Sequence, residues 1–290
     1  MSGGAAQDPK AARRRPPTDV PLYVQTRMRG AALAVAVLLC FAIAFHFPPV
    51  PQDPSYHRFA DARTIAGIPN FWNVVSNALF LIFGVIGISF TLRRHDLDDP
   101  HRFLSPVERW PYLIFFVGVA LTAFGSSYYH WSPSNSTLVW DRLPMTLGFM
   151  SLLAAMIGER INLRAGIASL VPLLAFGLFS VLYWDRTESR GHGDLRLYAL
   201  TQFGSLVVLV LLLALFPPRY TRGYDFMIAL GFYALAKALE IADHRIFGAT
   251  RDAISGHALK HIAAAFAALW ILRMLKLRTP VRPTVVRQTC

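Results

Sequence analysis

Charge and cysteine are what this chain of 290 residues has least of. Asp, Glu, Lys and Arg together make up 16% of it, against about 25% in an ordinary soluble domain. So few charges cannot clothe a large surface in water. Its two cysteines, Cys40 inside an apolar run and Cys290 at the last position, exclude a disulfide framework, and no Cys-x-x-Cys occurs. Acidic residues are scarcer than basic ones, 17 against 29, for a formal net charge of +12. In a soluble protein that excess would point to nucleic acid. Here the basic residues lie mostly between apolar runs, where positive charge sets topology, so nucleic acid is not an expected partner. The alternation of a barrel strand, an internal repeat and the Gly-x-Ser-x-Gly of a serine-hydrolase elbow are all missing.

What the chain has in plenty is apolar surface: 54% hydrophobic residues and a mean hydropathy of +0.40. Apolar runs fall at roughly 30–48, 71–92, 111–131, 138–158, 165–184, 196–216, 224–244 and 256–276. Each is near the ~20 residues that cross a bilayer core as a helix. Hydrocarbon cannot satisfy free backbone polar groups, so such runs must be helical. The expected fold class is all-α, a polytopic membrane helix bundle of eight spans. Residues 1–29 are polar, with Lys10, Arg13, Arg14 and Arg15 beside Pro16 and Pro17, and read as a disordered basic tail. Residues 279–290 read as a second tail. No small-residue cleavage site follows the first run; His46-Phe-Pro-Pro-Val-Pro-Gln52 does, which favours a retained helix over a signal peptide. With eight alternating spans, 19 of the 29 basic residues fall on the side of the N-terminus and 7 on the other. Both termini are therefore expected in the cytoplasm.

One stretch, GSSYYHWSPSNSTLVWDRLPMT at 125–146, puts polar groups at the rims of two apolar runs. Ser126 and His130 are four apart and share a helix face. The turn after them is short, so the next helix returns antiparallel and brings Asp141 level with His130. The last run opens GHALKHI, with His257 and His261 also four apart. Three imidazoles with one open position suit catalytic zinc, on which the pKa of bound water falls to about 7. Asp141 is then the candidate to take or orient the proton, and Ser126 to donate to an oxyanion. Each element also has a plainer reading. An embedded His can simply bridge helices, and Ser126 can be a packing residue. Ligands four apart on one helix cannot take opposite faces of a haem. Elsewhere, Lys237 and Glu240 are spaced as an ion pair, Arg142 is expected to snorkel or pair locally, and His46, His57, His95, His101 and His192 fall in loops or at rims.

GSSYYH, LVWDRLPMT and GHALKHI, together with FWNVVSN at 71–77, resemble the alkaline ceramidase family of seven-helix membrane amidases, related to the adiponectin receptors. The likeness spans roughly 55–278. It implies that Ser126, His130, Asp141, His257 and His261 take the zinc-site positions, and that 30–48 is an extra helix before the seven-helix core. It implies zinc-dependent cleavage of a ceramide-like lipid amide, entering from the bilayer, to a fatty acid and a sphingoid-type amine, at a site toward the non-cytoplasmic side. Asn73, Asn77 and Asp243 are candidates to support that site. Eukaryotic members carry an acidic calcium-binding stretch with Glu ahead of the Phe-Trp-Asn; Asn70 stands there in this chain, which leaves Asp61 and Asn70 as the candidates for a variant calcium site. The residue after the motif Asp, usually Glu, is Arg142. A receptor holding a structural zinc is the rival from another class. A transporter is disfavoured, since paired broken spans are not evident in the sequence.

Overall fold

The computed structural model describes residues 22–93 and 103–281. The basic segment 1–21, the loop bearing His95 and His101, and the tail beyond 281 lie outside the described residues. The first helix, α1 (Leu22–His46), starts earlier than its apolar run and takes in Arg27 and Arg29. There follow α2 (Phe71–Val75), α3 (Ala78–Leu92), α4 (Arg109–Trp131), α5 (Asn135–Arg160) and α6 (Leu163–Glu188). Next come α7 (Arg196–Ala199), a π-helical turn over Leu200–Gly204, and α8 (Ser205–Leu215). The described chain closes with α9 (Asp225–Ile241), α10 (Asp243–Ala249) and α11 (Gly256–Leu277). Every regular element among the described residues is helical, as the apolar runs demanded.

Each apolar run coincides with helix, and three of them are interrupted. The second breaks at Ser76–Asn77 between α2 and α3, the sixth passes through the π turn, and the seventh breaks at Ala242 between α9 and α10. Six helical segments are long and apolar enough to cross a membrane. The other two fall short for visible reasons: α5 carries Asp141, Arg142, Glu159 and Arg160, and α9 has only 17 residues, with Lys237 and Glu240 near its end.

Burial decides the arrangement. α4 packs between α3 and α5, α5 also meets α6 and α8, and α11 lies against α9 and α3. Phe116, Met156, Leu212 and Ile271 meet in one core drawn from α4, α5, α8 and α11. α1 stands at the edge of that core: no residue of its spanning window is fully buried, Leu33 packs against the core from outside, and it meets the α7–α8 side and, through Phe41, Phe176 of α6 at 6.1 Å between rings. Between α1 and α2 the chain folds over one end of the bundle. His57 pins it there, with Nδ1 2.9 Å from Tyr129 Oη and Nε2 2.9 Å from Asn135 Oδ1.

Candidate metal centre

His130 ends α4, and His257 and His261 occupy successive turns at the start of α11. The three rings form a near-equilateral triangle, with centroids 4.8, 4.9 and 5.0 Å apart. One ligand atom from each lies within 4.8 Å of the others, and all three side chains are buried. His130 Nε2 and His261 Nε2 are 3.2 Å apart. Two nitrogens bound to zinc at 2.0–2.1 Å with tetrahedral geometry sit about 3.3 Å apart, so this spacing fits a shared ion. His130 Nδ1 and His257 Nε2 are buried without a hydrogen-bond partner, a cost of about 1–3 kcal/mol each if nothing fills the need. No Cys, Asp or Glu joins the group among the described residues. Three neutral nitrogen donors with a side left open are a donor set that zinc accepts.

The supporting contacts fix the rings. Ser76 Oγ lies 2.9 Å from His261 Nδ1 and donates in turn to the carbonyl of Asn73 at 3.3 Å. Nδ1–H therefore donates to Ser76, which turns the Nε2 lone pair toward the other imidazoles. The first turn of α11 is tied twice. Ser255 Oγ accepts from Ala258 N at 3.1 Å, and Asp243 Oδ1 accepts from His257 N at 2.8 Å while its Oδ2 accepts from Ala60 N at 2.9 Å. Asn73 Oδ1 accepts from Ser255 Oγ at 3.4 Å, and Asn77 Nδ2 donates to the Asn73 carbonyl at 2.8 Å. The phenyl ring of Phe59 covers the triangle, 4.7 Å from His130 and 4.6 Å from His257.

Ser126 of α4 and Asp141 of α5, both buried, line one cavity wall where the two helices pack together. Local sequence explains the approach. Pro144 lies inside α5 and has no N–H, so the carbonyl of Trp140 four residues earlier lacks its helical donor. That carbonyl is turned on Gly125: a Cβ there would stand 1.9 Å from Trp140 O. Only glycine lets the helices close at this level. Ser126, Asp141 and His261 then share the wall of a cavity of about 490 Å³. Phe80, Phe115, Leu152, Leu206, Leu230 and Ile271 give it an apolar lining.

Other polar residues of this cavity escaped the sequence reading. Glu240 pairs with Lys237, as its spacing suggested, but also accepts from Lys260 Nζ at 2.6 Å and Tyr56 Oη at 3.2 Å. Arg142 does not snorkel; it is buried, and Gln52 from the loop before α2 bonds it. No periodicity connects such loop residues to a distant helix. Asp61 and Asn70 have other partners than a cation. Arg63 takes the Asp61 carboxylate through Nε at 2.8 Å and Nη2 at 2.6 Å. Burial pushes the Asp61 carboxyl up, but the Arg63 guanidinium and backbone N–H outweigh it and hold it below the usual range. Asn70 Nδ2 donates to the His130 carbonyl at 2.9 Å. The calcium reading is thus left without a free carboxylate at this pair.

A family model described as Ceramidase matches residues 63–279, a stretch that begins just before α2 and ends just after α11. No curated protein matches the chain.

Proposed function

Because the chain belongs to the ceramidase family, as the match over 63–279 shows, we propose that it is a zinc-dependent membrane amidase that splits a ceramide-like long-chain amide into a fatty acid and a sphingoid-type amine. One observation carries the reading: three buried imidazoles cluster within ligand distance of one another, and one of them, His261, shares the wall of an apolar-lined cavity with Ser126 and Asp141. His130, His257 and His261 would hold the metal. When bound, zinc would supply Lewis acidity toward the amide carbonyl and lower the pKa of water.

The protein's own groups divide the remaining work. Asp141 takes the proton of the attacking water and later passes it to the departing amine nitrogen. Ser126, on the same cavity wall, aims that carboxylate by donating to it in the reacting complex. Once Asp141 is protonated it no longer needs this donor, and the hydroxyl is free to serve the oxyanion of the tetrahedral intermediate. The apolar lining holds the alkyl chains, at about 0.8 kcal/mol per buried CH₂, and keeps competing water out. The basic residues gathered on the side of the N-terminus support eight spans, cytoplasmic termini and a site toward the opposite leaflet.

The test pairs metal analysis with mass spectrometry of the lipid products. Wild-type protein should carry about one zinc per chain and release fatty acid from ceramide in liposomes. Replacing His130, His257 and His261 by Ala should remove both. Full turnover by the zinc-free triple variant would overturn the mechanism, and zinc without turnover on any long-chain amide would make the site structural.

A further inference from the structure

Arg142 follows Asp141 in α5 and is 5% exposed. Its guanidinium is held by three aromatic rings and a glutamine. The ring of Trp184 lies at 4.2 Å, Tyr198 at 4.6 Å and Tyr56 at 5.9 Å, while Nη2 donates to Gln52 Oε1 at 2.6 Å. No ion pair found among the described residues includes it. Nη1 is buried and has no hydrogen-bond partner. Arg142, Gln52, Tyr56 and Tyr198 line the same cavity as Asp141, Ser126 and His261. The other two cations of that wall, the partly exposed Lys237 and Lys260, are both answered by Glu240.

A guanidinium cannot shed its proton to escape burial. Left unpaired it costs several kcal/mol, yet this one is fixed by aromatic faces and a glutamine as though its last edge were reserved. A neutral acceptor would satisfy the N–H of Nη1 but leave the charge unanswered; an anionic oxygen does both, through the short charge-assisted bonds that arginine forms in its own plane. We propose that Arg142 is a specificity-determining residue that binds an anionic oxygen group, such as a carboxylate, phosphate or sulfonate, carried on the amine side of the amide. The amine side follows from the cavity's two characters. Its apolar walls suit an acyl chain, whereas Arg142 sits where the loop bearing Gln52 and Tyr56 closes the polar end. Arg142 and Asp141 line the same cavity, so an anion on the amine side and the scissile bond fit within it together. The inference rests on the amidase reading for its geometry but not for its measurement.

Two matched lipid pairs test it in the full-length protein: N-palmitoylglycine against N-palmitoylethanolamine, and ceramide phosphate against ceramide. Binding is measured by calorimetry in neutral micelles with D141N, and turnover with the wild type. The anionic member of at least one pair should bind roughly 10- to 100-fold tighter, and which pair does so separates carboxylate from phosphate. R142Q should erase the preference while keeping its zinc, and R142K should keep part of it. Equal binding within both pairs, or a preference that survives R142Q, overturns the proposal, and the wild-type pairs decide even if R142Q does not fold. A preference without turnover would sink the amidase reading and leave Arg142 standing; turnover without a preference would do the reverse.

Discussion

A buried imidazole has two nitrogens to satisfy, and at this centre the accounting differs from ring to ring. His261 spends Nδ1 on Ser76, while His130 and His257 each keep one nitrogen without a partner. Ser76 therefore acts on the metal only through the tautomer of His261. S76A should leave the fold and zinc stoichiometry intact but weaken zinc binding about 10- to 100-fold, read by competition with a chelator of known affinity. An affinity equal to wild type would mean that the ring is held by its surroundings alone. The histidine cluster was legible because spacing by four assigns a face: His257 shares one with His261, and His130 one with Ser126. Ser76, with Asn73 and Asn77, was expected to bond a neighbouring helix, and it does, at His261. Phe59 was not legible, because it belongs to a loop whose path is set by tertiary contacts such as Asp243 with Ala60.

Between elements, one polar tie joins α9 to α11. One carboxylate, Glu240, answers two ammonium groups, Lys237 and Lys260. The arrangement is asymmetric. Removing one Lys leaves the acid still paired; removing the acid leaves two partly exposed cations without their counter-charge. E240Q should thus lose about 1–2 kcal/mol of stability, and K237M clearly less, compared by thermal unfolding in detergent. Equal losses would show that the two pairs act independently. The sequence suggested Lys237 with Glu240 from their spacing, but Lys260 neighbours His261 and has no sequence relation to Glu240. The interruptions at Ser76–Asn77 and at the π turn were also hidden, since an apolar run looks the same whether its hydrogen-bond ladder is continuous or slipped.

On the scale of the whole molecule, α1 and the rest of the chain are differently bound. The family match begins at residue 63, and no residue in the spanning window of α1 is fully buried against the bundle. Its few ties are peripheral, such as Arg196 Nη1 donating to the Phe47 carbonyl at 2.9 Å. A chain lacking residues 1–46 should therefore keep its zinc and its ceramide turnover in liposomes. Loss of zinc on truncation would make α1 part of the core after all. That the chain is all helix could be read from apolar run length; that the first helix lies outside the core could not be read from its composition, which matches that of spans packed on their neighbours, and came only from the family resemblance.

Pro144 leaves the Trp140 carbonyl without a donor in its own helix, and that carbonyl rests on Gly125. P144A would restore the missing N–H and improve α5 as an isolated helix by about 3 kcal/mol. It would also draw the carbonyl back into line and swing Asp141 out of register with Ser126. The variant should melt no lower than wild type yet turn over more slowly. Here robustness and chemistry compete for a single peptide group, and a search for hardier variants that ranks them by melting temperature alone would select against the catalyst.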